Sequence, residues 1–171
     1  MLDGLLMDAK MHMKDYYEMY VRVSLSAILG FLIGWDRESK SKPAGLKTYM
    51  YVCVASTLIT LISIYSVEKF STGSDGTMMD PMRLTAQIVS GLGFLGAGVI
   101  LKNGLKISGL TSASMILFVG GVGIGIGAGF YGMVIFTVFI SALIAKFGSY
   151  LEIRVFNRAK NTAEEKNEEA L

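Results

Sequence analysis

The chain is predicted to be all-α, a polytopic membrane helical bundle of about five transmembrane helices with an N-terminal amphipathic helix. Three observations carry that prediction. Of 171 residues 52% are hydrophobic and 18% charged, and the mean hydropathy is +0.50, more apolar than a soluble domain of this length needs. The ionisable residues cluster so as to leave four uncharged windows, at 23–35, 48–67, 84–101 and 107–145. Many of the 20 glycines fall inside those windows. Each would cost a helix in water about 1 kcal/mol relative to alanine, but in lipid glycine lets helix backbones touch.

Taken in chain order, residues 1–16 form the first unit. Leu2, Leu5, Leu6, Ala9 and Met13 recur at helical spacing among acids and bases, the pattern of a helix lying on a membrane surface. The segment has neither the basic start nor the small-residue cleavage site of a signal peptide. The transmembrane unit, 17–155, opens with a short window that spans only if Tyr20, Val21 and Arg22 are included. Arg22 is then expected near an interface, its stem snorkelling while Tyr16, Tyr17 and Tyr20 form an aromatic belt.

The second and third windows are each about one span long, given roughly 20 residues per crossing. The last holds 39 residues, about twice that requirement, so it is expected to divide into two helices near Gly127-Ala128-Gly129. Beyond Phe156 the chain is Asn, Lys and Glu without an apolar face, and residues 156–171 are expected to be a frayed charged tail.

Lys and Arg set the orientation. With the N-terminus outside, eleven of the 16 bases (Arg37, Lys40, Lys42, Lys47, Lys102, Lys106, Lys146, Arg154, Arg158, Lys160 and Lys166) fall on the inner side. Lys10, Lys14, Arg22, Lys69 and Arg83 fall outside. The positive-inside rule therefore predicts an outer N-terminus and a cytoplasmic C-terminus.

Cysteine and histidine usage narrows the chemistry. One Cys, at position 53, and one His, at position 12, build neither an internal disulfide nor a histidine metal cluster. Gly91-Leu92-Gly93-Phe94-Leu95-Gly96 matches the dinucleotide fingerprint in form only, because it lies inside an apolar span. With no acid, His or paired nucleophile placed to activate a hydroxyl, no catalytic residue and no cofactor is predicted. No nucleic-acid partner is expected either.

The glycines read first as packing positions. Gly30 and Gly34 form a GxxxG pair. Gly93 and Gly96 lie on one side of the third span and Gly91 and Gly98 on the other, so that helix is expected to be pressed between two neighbours at the bundle centre. On the fourth span Gly121, Gly125 and Gly129 share one face, and Gly123 and Gly127 another. Glycine also permits a break or kink that could serve a transport path, and such faces make a homodimer an expectation.

Two polar clusters remain. In the third span Arg83, Gln87, Ser90 and Phe94 share one face, a row that is costly in a bilayer unless it meets partners or water, and it is expected to face the bundle interior. Asp80-Pro81 before it has the form of an N-cap followed by proline at the first helical position; an outward-facing cation contact at Asp80, the one metal candidate, is the other reading. The second cluster follows the first span. Asp36, Arg37 and Glu38 offer an ion network, a docking surface or simply a solvated interfacial loop, and Lys42, Pro43, Gly45, Lys47 and Thr48 lead through a turn into the second span.

These segments resemble the MgtC/SapB family of bacterial inner-membrane proteins. The resemblance rests on Gly34-x-Asp36-Arg37-Glu38, on 42–48 (KPAGLKT), on Asp80-Pro81-x-Arg83, on Ala86-Gln87, on 90–98 and on Gly109-Leu110-Thr111, and covers roughly 17–153. It implies a five-span bundle with a cytoplasmic C-terminus and no established enzymatic activity. It further implies a regulator, associated with growth under magnesium limitation and with pathogen survival in macrophages, that binds membrane machines such as the ATP synthase or an ion pump.

Departures are visible. Asp36 stands where glutamate is usual, Tyr49 where histidine often follows, and Met115-Ile116 where an alanine-rich run is common. The soluble C-terminal domain of better known members is not expected here. A small magnesium carrier or channel, with Asp80 and Arg83 at its outer mouth, is the alternative function; the regulator is preferred because no Asp or Glu lies within any window.

Overall fold

The computed structural model describes residues 2–38, 44–70 and 80–168. The chain is helical almost throughout: α1 (Leu2–Glu38), α2 (Leu46–Phe70), α3 (Met82–Val99), α4 (Leu110–Gly127) and α5 (Tyr131–Glu168). Four of these five helices are long and apolar enough to cross a membrane, over Tyr16–Trp35, Leu46–Val67, Leu110–Gly127 and Tyr131–Leu151. The exception is α3, whose 18 residues include Arg83, Gln87 and Ser90. The structure thus agrees with an all-α, multi-pass membrane fold.

Residues 1–131 and 132–171 are separate compact units. In the first, α2 packs on α1, α3 and α4, and α4 touches all of the other three. The bundle centre is therefore the α2–α4 pair, not α3 as the glycine pattern suggests. The reason is shape: α4 offers Gly120, Gly123 and Gly127 on its buried side, where Gly123 and Gly127 admit the α2 backbone and Gly120 admits the Leu92 side chain of α3. Tyr49, Cys53, Thr57, Ile116, Val119 and Ile126 fill the interior between them.

Local signals fix the helix ends. Asp80 caps α3, its carboxylate accepting the Met82 N–H at 2.8 Å, while Pro81 already has helical angles (φ −65°, ψ −19°). Ser63 of α2 donates its hydroxyl proton to the Pro81 carbonyl and ties the two helices together at this end. The division of the long apolar run falls where expected. Gly129 sits at φ +83°, Gly129 N–H bonds Ile126 O at 3.0 Å and Phe130 N–H bonds Gly125 O at 2.8 Å, the paired bonds of a Schellman ending.

Between α3 and α4 the chain forms a feature not foreseen, a two-stranded antiparallel hairpin of β1 (Leu101–Asn103) and β2 (Lys106–Ser108). Gly104, at φ +61°, supplies the positive φ that a two-residue hairpin turn requires.

The second unit consists of most of α5. Over Tyr131–Leu151 it is apolar and long enough to cross a membrane, Lys146 being the one charged residue in that stretch. The helix then continues to Glu168 through the segment expected to fray, where Ala, Glu, Lys and Arg are good helix formers.

Candidate functional site

The motif residues do not converge on one place. At one end of the bundle lie the C-terminus of α1, the N-termini of α2 and α4, and the hairpin. At the other end lie Arg22, the end of α2, the start of α3 and the end of α4. The Asp36–Thr48 block belongs to the first end and the Asp80–Arg83 block to the second, separated by α3, roughly 27 Å long at 1.5 Å per residue.

At the first end, α1 stays helical through Asp36, Arg37 and Glu38. The Arg37 side chain is half-buried, whereas the side chains of Asp36 and Glu38, and Lys42 and Pro43 entirely, lie outside the described residues. Gly45 is half-buried and its carbonyl accepts the Tyr49 N–H at 3.3 Å, starting α2; Lys47 and Thr48 are exposed. The residue that the sequence marks only as a departure from the family pattern, with no site role, is Tyr49. Its side chain is completely buried, its hydroxyl makes no hydrogen bond of good geometry among the described residues, and Arg37 and Ser112 lie near enough to act on it. The end of α1 and the starts of α2 and α4 thus meet around one phenol. The signal was present, since Tyr49 directly follows the motif threonine.

Along α3 the polar row points the other way from expectation. Arg83, Gln87, Ser90 and Phe94 are all exposed, Phe94 by 80%, while Thr85, Ile88, Leu92 and Gly96 are the buried positions. At 3.6 residues per turn the two sets lie half a turn apart. Leu92 packs over Gly120 and Gly96 meets Ala113 of α4, whose Cβ would stand 3.6 Å from a Cβ at Gly96. The close fit of this small-residue face outweighs the wish of the polar row to be inside. Asp80, the metal candidate, is exposed and engaged as the α3 cap.

The glycines divide into two classes. A Cβ at Gly30 would come within 2.9 Å of Met50 Cα, and one at Gly34 within 2.9 Å of Leu46 Cα, so these two let α1 lie backbone to backbone on α2. Gly91, Gly93, Gly98 and Gly121 have nothing within 4 Å of such a Cβ. On α4 the packing face is therefore Gly120, Gly123 and Gly127 rather than Gly121, Gly125 and Gly129. Gly125 gives its carbonyl to the helix ending and Gly129 turns the chain.

Arg22 corrects a further expectation. Its side chain does not snorkel but turns inward, with 14% of its surface exposed. One guanidinium nitrogen donates to the Gly127 carbonyl at 2.6 Å, another meets the Glu18 carboxylate at 2.5 Å, and the group lies 5.8 Å from the Tyr131 ring centroid. A cation is thus placed at the negative end of the α4 dipole and joins α1 to the α4 ending. Tyr16, Tyr17 and Tyr20 are exposed on the outside of α1. The detectable signal was Glu18 four residues before Arg22, an i, i+4 pair.

Among the described residues no group of three or more His, Cys, Asp or Glu side chains is placed to hold a metal ion. The interior is instead lined by hydroxyls bonded to backbone carbonyls: Thr57 to Gly123 O at 2.9 Å, Thr60 to Ser56 O at 2.8 Å and Ser26 to Val23 O at 2.7 Å.

Comparison with known proteins adds identity to this geometry. The model of the MgtC family matches residues 23–153. The chain is 45% identical over 115 residues to Protein SapB of Bacillus subtilis, covering 67% of this chain and 49% of that one. It is 35% identical over 136 residues to Protein MgtC of Brucella abortus, covering 77% and 53%. YhiD of Escherichia coli K12, whose name designates it a candidate magnesium transporter, is 34% identical over 141 residues, covering 82% and 65%. The chain spans about half to two thirds of the length of these relatives. No solved structure matches it.

Proposed function

The chain belongs to the MgtC family, and from that premise we propose that it is a non-catalytic inner-membrane protein that supports magnesium and ion homeostasis by regulating a partner membrane complex, an ATP synthase or ion pump. The N-terminus is placed outside and the C-terminus in the cytoplasm, following the distribution of Lys and Arg. The end carrying Arg37, Lys47, Lys102 and Lys106 then faces the cytoplasm, where a partner could read it.

One observation carries the regulatory reading over transport. The α1–α2–α4 interior is closed by backbone contact, with Gly30, Gly34 and Gly127 each allowing atoms of α2 to within 3 Å of a hypothetical Cβ. Its hydroxyls at Thr57 and Thr60 are spent on backbone carbonyls. Such an interior favours a rigid scaffold over a hydrated path. The second reading, a small magnesium carrier or channel, draws support from the name of the E. coli relative and from Thr85, whose buried hydroxyl has no partner among the described residues.

Growth of a strain lacking the gene, in low magnesium, tests the proposal. The wild-type chain should restore growth, while Arg37→Ala and Glu38→Ala should insert normally yet fail to restore it. Wild-type growth from both variants would remove the 36–48 region from the mechanism.

A further inference from the structure

The outward row of α3 is the least expected surface on the molecule. In hydrocarbon a glutamine amide, a serine hydroxyl and an arginine without partners are each costly, and lipid tails supply none. Gln87, Gly91, Phe94 and Gly98 follow one another at steps of four, three and four, the 3.5-residue repeat by which two helices pack side by side. All four are exposed.

Beside this row runs an open, mostly apolar groove of about 450 Å³ between α2 and α3, lined by Tyr51, Ala55, Ile59, Gln87, Gly91 and Leu95 among others. Phe94 stands on the same helix and at the same depth as Gly91 and Leu95.

We infer that a second copy of this chain docks here, α3 against α3 in parallel about a two-fold axis along the membrane normal. The surface is self-complementary in the way such an axis requires. A projecting ring and a groove at equal depth let each Phe94 enter the partner's groove, an isologous exchange. The Gln87 amide is donor and acceptor at once, so two copies satisfy each other across the axis. At the start of the helix, Asp80 and Arg83 are both exposed, and among the described residues Arg83 makes no ion pair. A carboxylate and a guanidinium three residues apart on a two-fold surface pair reciprocally. Two copies inserted in the same orientation have this symmetry available, and the inference does not depend on the regulatory reading.

Cysteine crosslinking in native membranes tests it. In a Cys53→Ala background, single cysteines are placed at Gln87, Gly91, Phe94 and Gly98, with Ala86 and Gly93 on the other flank of α3 as controls. The dock predicts disulfide-linked dimers at the four row positions, at least about tenfold above the controls. Phe94→Ala, combined with the Gln87→Cys reporter, should lower the dimer yield several-fold at unchanged protein level in the membrane. Monomer at all four row positions would overturn the inference, whether lipid, α5 or another protein covers the row. Equal yields at row and control positions would overturn it too, as random collision.

Discussion

Arg22 shows how one side chain can tie the end of one helix to another. Its guanidinium meets the Gly127 carbonyl at 2.6 Å, at the last residue of α4, and the Glu18 carboxylate on its own helix. Removing a charged donor from a carbonyl sheltered from water costs about 1–3 kcal/mol. Arg22→Gln should therefore lower the melting temperature of the purified protein in detergent, and Glu18→Gln should do so by less, since Glu18 is 44% exposed. An unchanged melting temperature for Arg22→Gln would make the contact incidental. Glycine positions behave in the opposite sense, where adding atoms is what harms. Gly34→Val places a branched side chain against the Leu46 backbone, with Leu46 Cα at 2.9 Å from the first added carbon, and overpacking of this kind costs about 1–3 kcal/mol. Reduced folded yield from membranes is the expected readout. The Arg22 contact was half legible: its i, i+4 partner is written in the sequence, but the carbonyl it seeks lies 105 residues away.

Among the elements, α3 separates what pattern reveals from what packing decides. Its cap, Asp80-Pro81, was readable because capping is local. Its facing was not. Polarity argued for turning Gln87 and Ser90 inward, yet the fit of Ile88, Leu92 and Gly96 against α4 turned them outward. Glycine spacing alone could not tell a filled groove from an open one, and Gly93 proved open while Gly120 is filled by Leu92. Gly120→Leu should accordingly destabilise the bundle far more than Gly93→Leu, measured as folded protein recovered from membranes. Comparable losses would mean that α3 is enclosed on both sides after all. The β1–β2 hairpin is barely written in the sequence, because three-residue strands carry too little alternation and only Gly104, the first of its two turn residues, marks it.

The whole molecule is an α1–α4 bundle closed around the α2–α4 contact, followed by the long apolar helix α5. Membrane class, four of the five expected spans and the break at Gly127–Gly129 were legible, since the bilayer imposes length and hydropathy on any spanning segment. The candidate site was legible only as motif blocks. That these stand at opposite ends, and that Tyr49 joins α1, α2 and α4 at one of them, needed the fold. In the function proposed above, this closed interior regulates rather than conducts. The decisive measurement is magnesium flux into liposomes that hold the purified protein and a magnesium-sensitive dye, under an imposed magnesium gradient and membrane potential, using a preparation whose gene restores low-magnesium growth. Magnesium should enter no faster than into empty liposomes; entry that rises with the amount of protein would show a conducting path.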